Sequence, residues 1–126
     1  NDGVLMTPYL IDRVENSAGE LVREYSPSVS SELMVPNEAA ALKELLIQVV
    51  NEGTGSALRR DSYQAGGKTG SAEFETGKET HAWFVGYAPV EDPQIAVCVI
   101  VEEAGSGGAV AAPIAASLFD AWILGE

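Results

Sequence analysis

The pattern of this 126-residue chain predicts an α+β fold: a three-stranded antiparallel sheet with a C-terminal helix packed on it, an additional helix and an N-terminal hairpin. Three observations carry that expectation. Apolar residues of the first half recur at spacings of three and four; from Gln64 the period changes to short runs separated by turn sequences; and a helical apolar spacing returns after Gly108. Nothing repeats at a solenoid or propeller period, so residues 1–126 are read as one domain.

Ile11, Val14, Leu21, Val22 and Tyr25 flank Asn16-Ser17-Ala18-Gly19, a cluster of turn formers between two short segments, which predicts a surface hairpin. Residues 26 to 31 read as a loop. Pro36 and Asn37 then open a helix whose stripe of Leu42, Leu45, Leu46, Val49 and Val50 should face a core. Gly53 should stop it near Glu52 by taking the left-handed conformation beyond the helix end.

The strands are expected at Gln64 to Phe74, Ala82 to Ala88 and Gln94 to Glu102. The separators Thr76-Gly77-Lys78-Glu79 and Pro89-Val90-Glu91-Asp92-Pro93 are too short for parallel crossovers, so the strands form an antiparallel meander. Ile95 to Val101 shows no polar alternation, which predicts a strand covered on both faces, with Cys98 a buried structural thiol. Gly105-Ser106-Gly107-Gly108 reads as a flexible connector, since it matches neither phosphate-binding glycine fingerprint. Val110, Ile114, Leu118, Ala121 and Trp122 have helical spacing, Pro113 is tolerated in the first turn, and Gly125 ends the helix. Trp83, Phe84, Tyr87, Phe119 and Trp122 read as core aromatics.

Composition narrows the function. Apolar residues make up 46% and charged residues 21%, ordinary for a packed domain. Seven basic against nineteen acidic side chains give a net charge of −12, a field that repels phosphate backbones, so no nucleic acid is expected as a partner. The apolar runs are far below the roughly 18 residues of a membrane span. The opening Asn1-Asp2-Gly3-Val4 has no initiator methionine and no signal-peptide pattern, so the chain is expected to begin within a longer protein. One cysteine excludes a disulfide framework or a cysteine metal site within it.

The stretch Gly66-Gly67-Lys68-Thr69-Gly70-Ser71-Ala72-Glu73 is the richest in chemistry. Glycine weakens strands, and where it recurs in one a ligand or another backbone often approaches closely. Beside an ammonium and two hydroxyls, such a strand could pair with an extended substrate while Lys68, Thr69 and Ser71 meet a carboxylate. The alternative from these residues alone is a bulged strand with a solvated lysine. His81 reads as structural or solvated and Glu73 as a strand-end carboxylate.

Lys68-Thr69-Gly70 resembles one of three signatures of penicillin-binding proteins and class A β-lactamases, the others being Ser-x-x-Lys and Ser-Asp-Asn. The surroundings are similar too. Val49-Val50-Asn51-Glu52-Gly53-Thr54-Gly55-Ser56-Ala57 resembles the helix end upstream of this strand, Ala82-Trp83-Phe84-Val85-Gly86-Tyr87-Ala88-Pro89 the strand after it, and Asn1-Asp2-Gly3 with Pro8 the segment before. The chain is thus identified as similar to the C-terminal part of a penicillin-binding-protein transpeptidase domain.

That resemblance implies a serine transpeptidase of β-lactamase-like fold, without metal or organic cofactor, which cross-links peptidoglycan stem peptides through an acyl-serine on the extracytoplasmic face of the bacterial membrane. It implies that Lys68 supplies positive potential and orients a hydroxyl of the second motif. Thr69 and Ser71, with Gly70 between them, would bind the carboxylate of the substrate or of a β-lactam, and the Ser71 backbone N–H would complete an oxyanion hole. Two departures matter. No Ser-x-x-Lys and no Ser-x-Asn or Tyr-x-Asn occurs in these 126 residues, so the chain alone is expected to be inert. Any membrane tie would be an N-terminal anchor outside them. A D,D-carboxypeptidase or β-lactamase fragment and a non-catalytic β-lactam sensor or cell-wall module are the alternatives. Ile95 to Val101 is also expected to pair with a second copy or with the chain's own N-terminal hairpin, because an apolar edge invites a strand.

Overall fold

A computed structural model describes residues 1–125, which divide into two compact units meeting between residues 41 and 42. In the first unit, β1 (Val4–Met6) pairs antiparallel with β4 (Val29–Glu32), and β2 (Arg13–Glu15) with β3 (Leu21–Glu24). The second pair is the expected hairpin. Its turn forms because Asn16 Oδ1 accepts the N–H groups of Ala18 (2.9 Å) and Glu20 (3.0 Å), while Gly19 takes a φ of 81°. Pairing of β1 with β4 corrects the expectation of a loop at residues 26 to 31. Both strands are only three or four residues long, and five of the seven residues are polar or exposed, so no alternation marks them.

Helix α1 (Pro36–Asn51) begins as expected, with proline in the first position, where its missing N–H costs nothing. Glu38 reaches back so that its Oε2 accepts the N–H of Val35 at 3.3 Å. At the other end Gly53 does not take the left-handed conformation; the positive-φ glycines are elsewhere. A Cβ there would stand 2.9 Å from the Val49 carbonyl oxygen, so Gly53 is needed for the closeness of the turn rather than for its hand. The expected apolar stripe is only partly covered: Val50 and Ile47 are buried, Leu46 and Val49 half-buried, Leu42 and Leu45 exposed.

In the second unit, β5 (Gly66–Ala72), β6 (His81–Ala88) and β7 (Ile95–Val101) form the expected meander in the order β5-β6-β7. Register is unbroken from Gly66 opposite Tyr87 to Ala72 opposite His81, and from Ala82 opposite Val101 to Ala88 opposite Ile95. Helix α2 (Ala111–Ile123) packs on one face of this sheet. The core lies between them: Ala82, Phe84, Ala88 and Val99 from the sheet, Ala111, Ala112, Ala115, Ala116 and Phe119 from α2, with Val50, Leu58 and Tyr63. Phe84 and Phe119 are fully buried, each worth about 1.5–3 kcal/mol of transfer free energy.

Four expectations about this core are corrected. The face of α2 turned inward is the alanine and Phe119 face, while Ile114, Leu118 and Trp122 stand exposed. Alanine lets the helix backbone approach the sheet closely, and an almost wholly apolar helix offers two candidate faces to periodicity. Strand β7 is covered on one face only, since Ala96, Cys98 and Ile100 are exposed where Val99 is buried. Cys98 is therefore an exposed thiol. Among the aromatics, Phe84 and Phe119 are core, Trp83 and Tyr87 half-buried, and Trp122 exposed.

Candidate functional site

Lys68, Thr69, Gly70 and Ser71 are consecutive residues of β5, an edge strand, opposite Val85, Phe84, Trp83 and Ala82 of β6. Alternation along a strand separates them. Thr69 shares the face of buried Phe84, whereas Lys68 shares that of exposed Val85. The Lys68 side chain lines an open groove of about 570 Å³ with Leu42, Leu45, Leu46 and Val49 of α1, and its Nζ donates to the Thr69 carbonyl oxygen at 2.5 Å.

Thr69 is only 9% exposed, and its Oγ1 lies 2.6 Å from Thr54 Oγ1 in a hydroxyl pair. Ser71 is exposed, and its Oγ accepts the Gly107 N–H at 3.3 Å. Both hydroxyls are thus held from the same side by segments distant in sequence. The glycine loop read as flexible is close-packed instead. Gly107 is buried, and a Cβ on it would stand 2.3 Å from the carbonyl oxygens of both Gly70 and Trp83; one on Gly108 would stand 2.6 Å from the Thr54 carbonyl oxygen. Only glycine permits that interlock of loop, strand and Thr54.

The strand's own glycines divide in purpose. A Cβ on Gly67 would meet the Phe84 ring at 2.4 Å, so that glycine makes room for the core rather than for a ligand. Gly70 has its nearest such neighbour, Trp83 Cβ, at 3.3 Å, and its backbone receives the Gly107 loop.

Two clusters flank the strand. At its far end the His81 ring stacks on Phe74 at 4.1 Å, and its Nδ1 accepts the Glu103 N–H at 3.1 Å, which ties the β5–β6 hairpin to the residues after β7. This histidine is structural. Before the strand, Arg60 donates from Nε to both Asp120 oxygens (2.9 and 3.1 Å) and from Nη2 to Oδ2 (2.6 Å), and the Tyr63 hydroxyl donates to Oδ1 at 2.7 Å. The Arg60 hydrogen bonds hold the Asp120 carboxyl below its ordinary range, while burial and then the bond to Asp120 push the Tyr63 hydroxyl well up. Burial, followed by the charge of Glu44, also raises Tyr87.

The sequence matches the model of the penicillin-binding protein transpeptidase domain over residues 1–120. The chain belongs to that family. It is 34% identical over 124 residues to the peptidoglycan D,D-transpeptidase PbpA of Mycolicibacterium smegmatis, an alignment covering 90% of this chain and 25% of that protein. It is 33% identical over 142 residues to the peptidoglycan D,D-transpeptidase MrdA of Haemophilus influenzae, covering 98% of this chain and 22% of that one. The transpeptidase-family chain therefore spans about a quarter of the length of these relatives. Among solved structures it resembles the D,D-transpeptidase domain of a peptidoglycan glycosyltransferase from Eggerthella lenta, with a TM-score of 0.84 and 36% identity over 98% of this chain and 30% of that one. It also resembles penicillin-binding protein A of M. tuberculosis in its ceftriaxone acyl-enzyme complex, with a TM-score of 0.87 and 29% identity over 98% of this chain and 29% of that one.

Against that family background, the geometry adds residues that the motif does not contain. Thr54 and Gly107 touch Thr69 and Ser71, yet neither follows from Lys-Thr-Gly. The available signal for Thr54 was a polar side chain between Gly53 and Gly55, and for Gly107 a glycine run before a helix; neither says which strand it meets.

Proposed function

We propose that this chain supplies the substrate-recognising wall of a serine D,D-transpeptidase that cross-links peptidoglycan stem peptides outside the bacterial membrane, and that residues 1–126 are one part of a single catalytic domain. The observation that carries the reading is the edge position of β5, with Lys68 and Ser71 exposed on it. An extended peptide end or a β-lactam can lie along such an edge by main-chain hydrogen bonds, with specificity from the side chains. Lys68 contributes the positive charge, and the Ser71 and Thr69 hydroxyls donate to the ligand carboxylate. Gly70 leaves the Lys68 face of the strand, beside Trp83, without a side chain. The Ser71 N–H is assigned to the oxyanion that develops when the acyl carbonyl is attacked, a donor worth on the order of 10²–10³ in rate. The attacking serine is the part of the reaction these 126 residues do not carry, since no Ser-x-x-Lys occurs among them.

The full-length protein containing this chain, incubated with benzylpenicillin, should gain the mass of one β-lactam. Lys68→Ala should slow that acylation by about one to two decades, the range of a lost charge-assisted hydrogen bond, with thermal stability retained. Wild-type kinetics in the variant would refute the role of Lys68. Non-covalent binding without any mass increase would favour a β-lactam sensor or cell-wall binding module instead.

A further inference from the structure

We infer that Thr54 is a positioning residue: it sets the direction in which the Thr69 hydroxyl gives its proton, and through that the preference of β5 for an anionic ligand over a neutral one. The inference rests on the reading of β5 as a carboxylate-binding strand.

A hydroxyl carries one proton and two lone pairs, and the 2.6 Å between the two Oγ1 atoms is an O–H···O hydrogen bond with one proton between them. Two directions are available. When Thr69 donates to Thr54, Thr69 presents only lone pairs to a ligand, and an acceptor-only carboxylate is repelled. When Thr54 donates, the Thr69 proton is released for the carboxylate, and the chain Thr54 O–H to Thr69 O–H to carboxylate has every donor matched to an acceptor. Surroundings favour the second. Thr54 is exposed, so water can serve its oxygen, whereas Thr69 is 9% exposed and depends on a protein donor. A carboxylate at Thr69 then reinforces the same direction, because hydrogen bonds in a chain polarise one another.

Thr54 is also held where it must be. The Gly108 backbone packs against its carbonyl at a distance that admits no Cβ, and Gly55 N–H bonds back to the Val49 carbonyl at 2.9 Å, so both flanks of Thr54 are tied. The hydroxyl pair gives the buried Thr69 oxygen its protein partner, and a proton-directing role acts through that same pair.

The test uses the full-length protein and two probes, benzylpenicillin and its neutral carboxylate ester, and reads the ratio of their second-order acylation rates. Thr54→Val keeps the volume and removes the donor, and Thr54→Cys substitutes a weak one. Either folded variant should lower the acid-to-ester ratio about tenfold or more, chiefly through the acid, and Thr54→Ser should restore it. Equal losses with both probes would reduce Thr54 to a packing residue and overturn the inference, as would an unchanged ratio. Failure of the wild-type protein to acylate would overturn the transpeptidase reading itself, and with it this one.

Discussion

Asp120, on the last turns of α2, grips Arg60 of the segment before β5 with both carboxylate oxygens, across 60 positions of sequence, and the pair is mostly shielded from water. Tyr63 donates to the same carboxylate, so the chain entering the candidate strand is pinned to the helix behind it.

This network should show in the pH dependence of stability. The folded-state pKa of Asp120 lies below its unfolded value of about 3.9, so its contribution is present above that value and fades as acid protonates it. The folded-state pKa of Tyr63 is raised, so its contribution is present below about pH 10 and is lost as pH rises further. Asp120→Asn should cost about 2 kcal/mol at neutral pH and flatten the acid limb of a melting-temperature profile; Tyr63→Phe should flatten the alkaline limb. An acid limb in Asp120→Asn as steep as in the wild type would assign acid sensitivity to other carboxylates.

Gly107→Ala should be among the most disruptive single-methyl additions to this chain. The new Cβ would sit 2.3 Å from two carbonyl oxygens of the sheet, and backbone cannot swing aside as a flexible side chain can. About 1–3 kcal/mol of overpacking is expected, with faster amide exchange at Gly70 and Ser71 as the loop lifts. Gly19→Ala is the informative comparison. It meets nothing within 4 Å, carries only the strain of its φ of 81°, and should leave β5 exchange unchanged.

How far these features could be read from sequence follows from where their partners lie. The β5-β6-β7 meander was legible because short turns force neighbouring strands together, and the β2–β3 turn because Asn16 bonds its own neighbours. Pairing of β1 with β4 was not, since Val4 finds Glu32 across a span with no alternation to advertise it. An unbroken apolar run such as Ile95 to Val101 reads as covered on both sides, but only one cover, α2, is supplied within the described residues. Lys68 to Ser71 could be recognised by motif, whereas Thr54, Gly107 and the Arg60–Asp120 pair are tertiary relationships, visible only when distant segments meet.

The 126-residue chain by itself should form no covalent adduct with benzylpenicillin. Its serines, Ser71 included, have no lysine three positions on to activate them, and a hydroxyl at its ordinary pKa is a weak nucleophile. Intact-mass spectrometry after prolonged incubation is sufficient. A stoichiometric mass increase would locate a nucleophile within these residues and overturn the division of labour proposed above.

The free side of β7 yields the last expectation. The three-stranded sheet ends at this strand, and the N-terminal hairpin, once a candidate to cover it, pairs within itself as β2 with β3. Ile95 to Val101 therefore leaves a row of backbone groups open along an uncharged, β-branched edge, a template for another strand. In a solution of the 126-residue chain, β7 of a second copy is an edge strand of matching length and the same uncharged, apolar character. Two such strands related by a two-fold axis at their midpoint would place Ile95 opposite Val101 and Val97 opposite Val99, keeping the α2-facing side chains on one face of a continuous six-stranded sheet. The midpoint is Cys98, which would face its counterpart at a Cα separation of about 4.5 or 5.5 Å, either of which a disulfide can bridge. Its thiol is exposed and free to react. Sedimentation should thus find a dimer, and oxidation with diamide should link it through Cys98. Cys98→Ser should remain dimeric without the link, whereas Cys98→Lys, by opposing two like charges at the centre, should dissociate it. A monomer that exchanges alternate β7 amides rapidly and gives no linked product would show that the edge stays open.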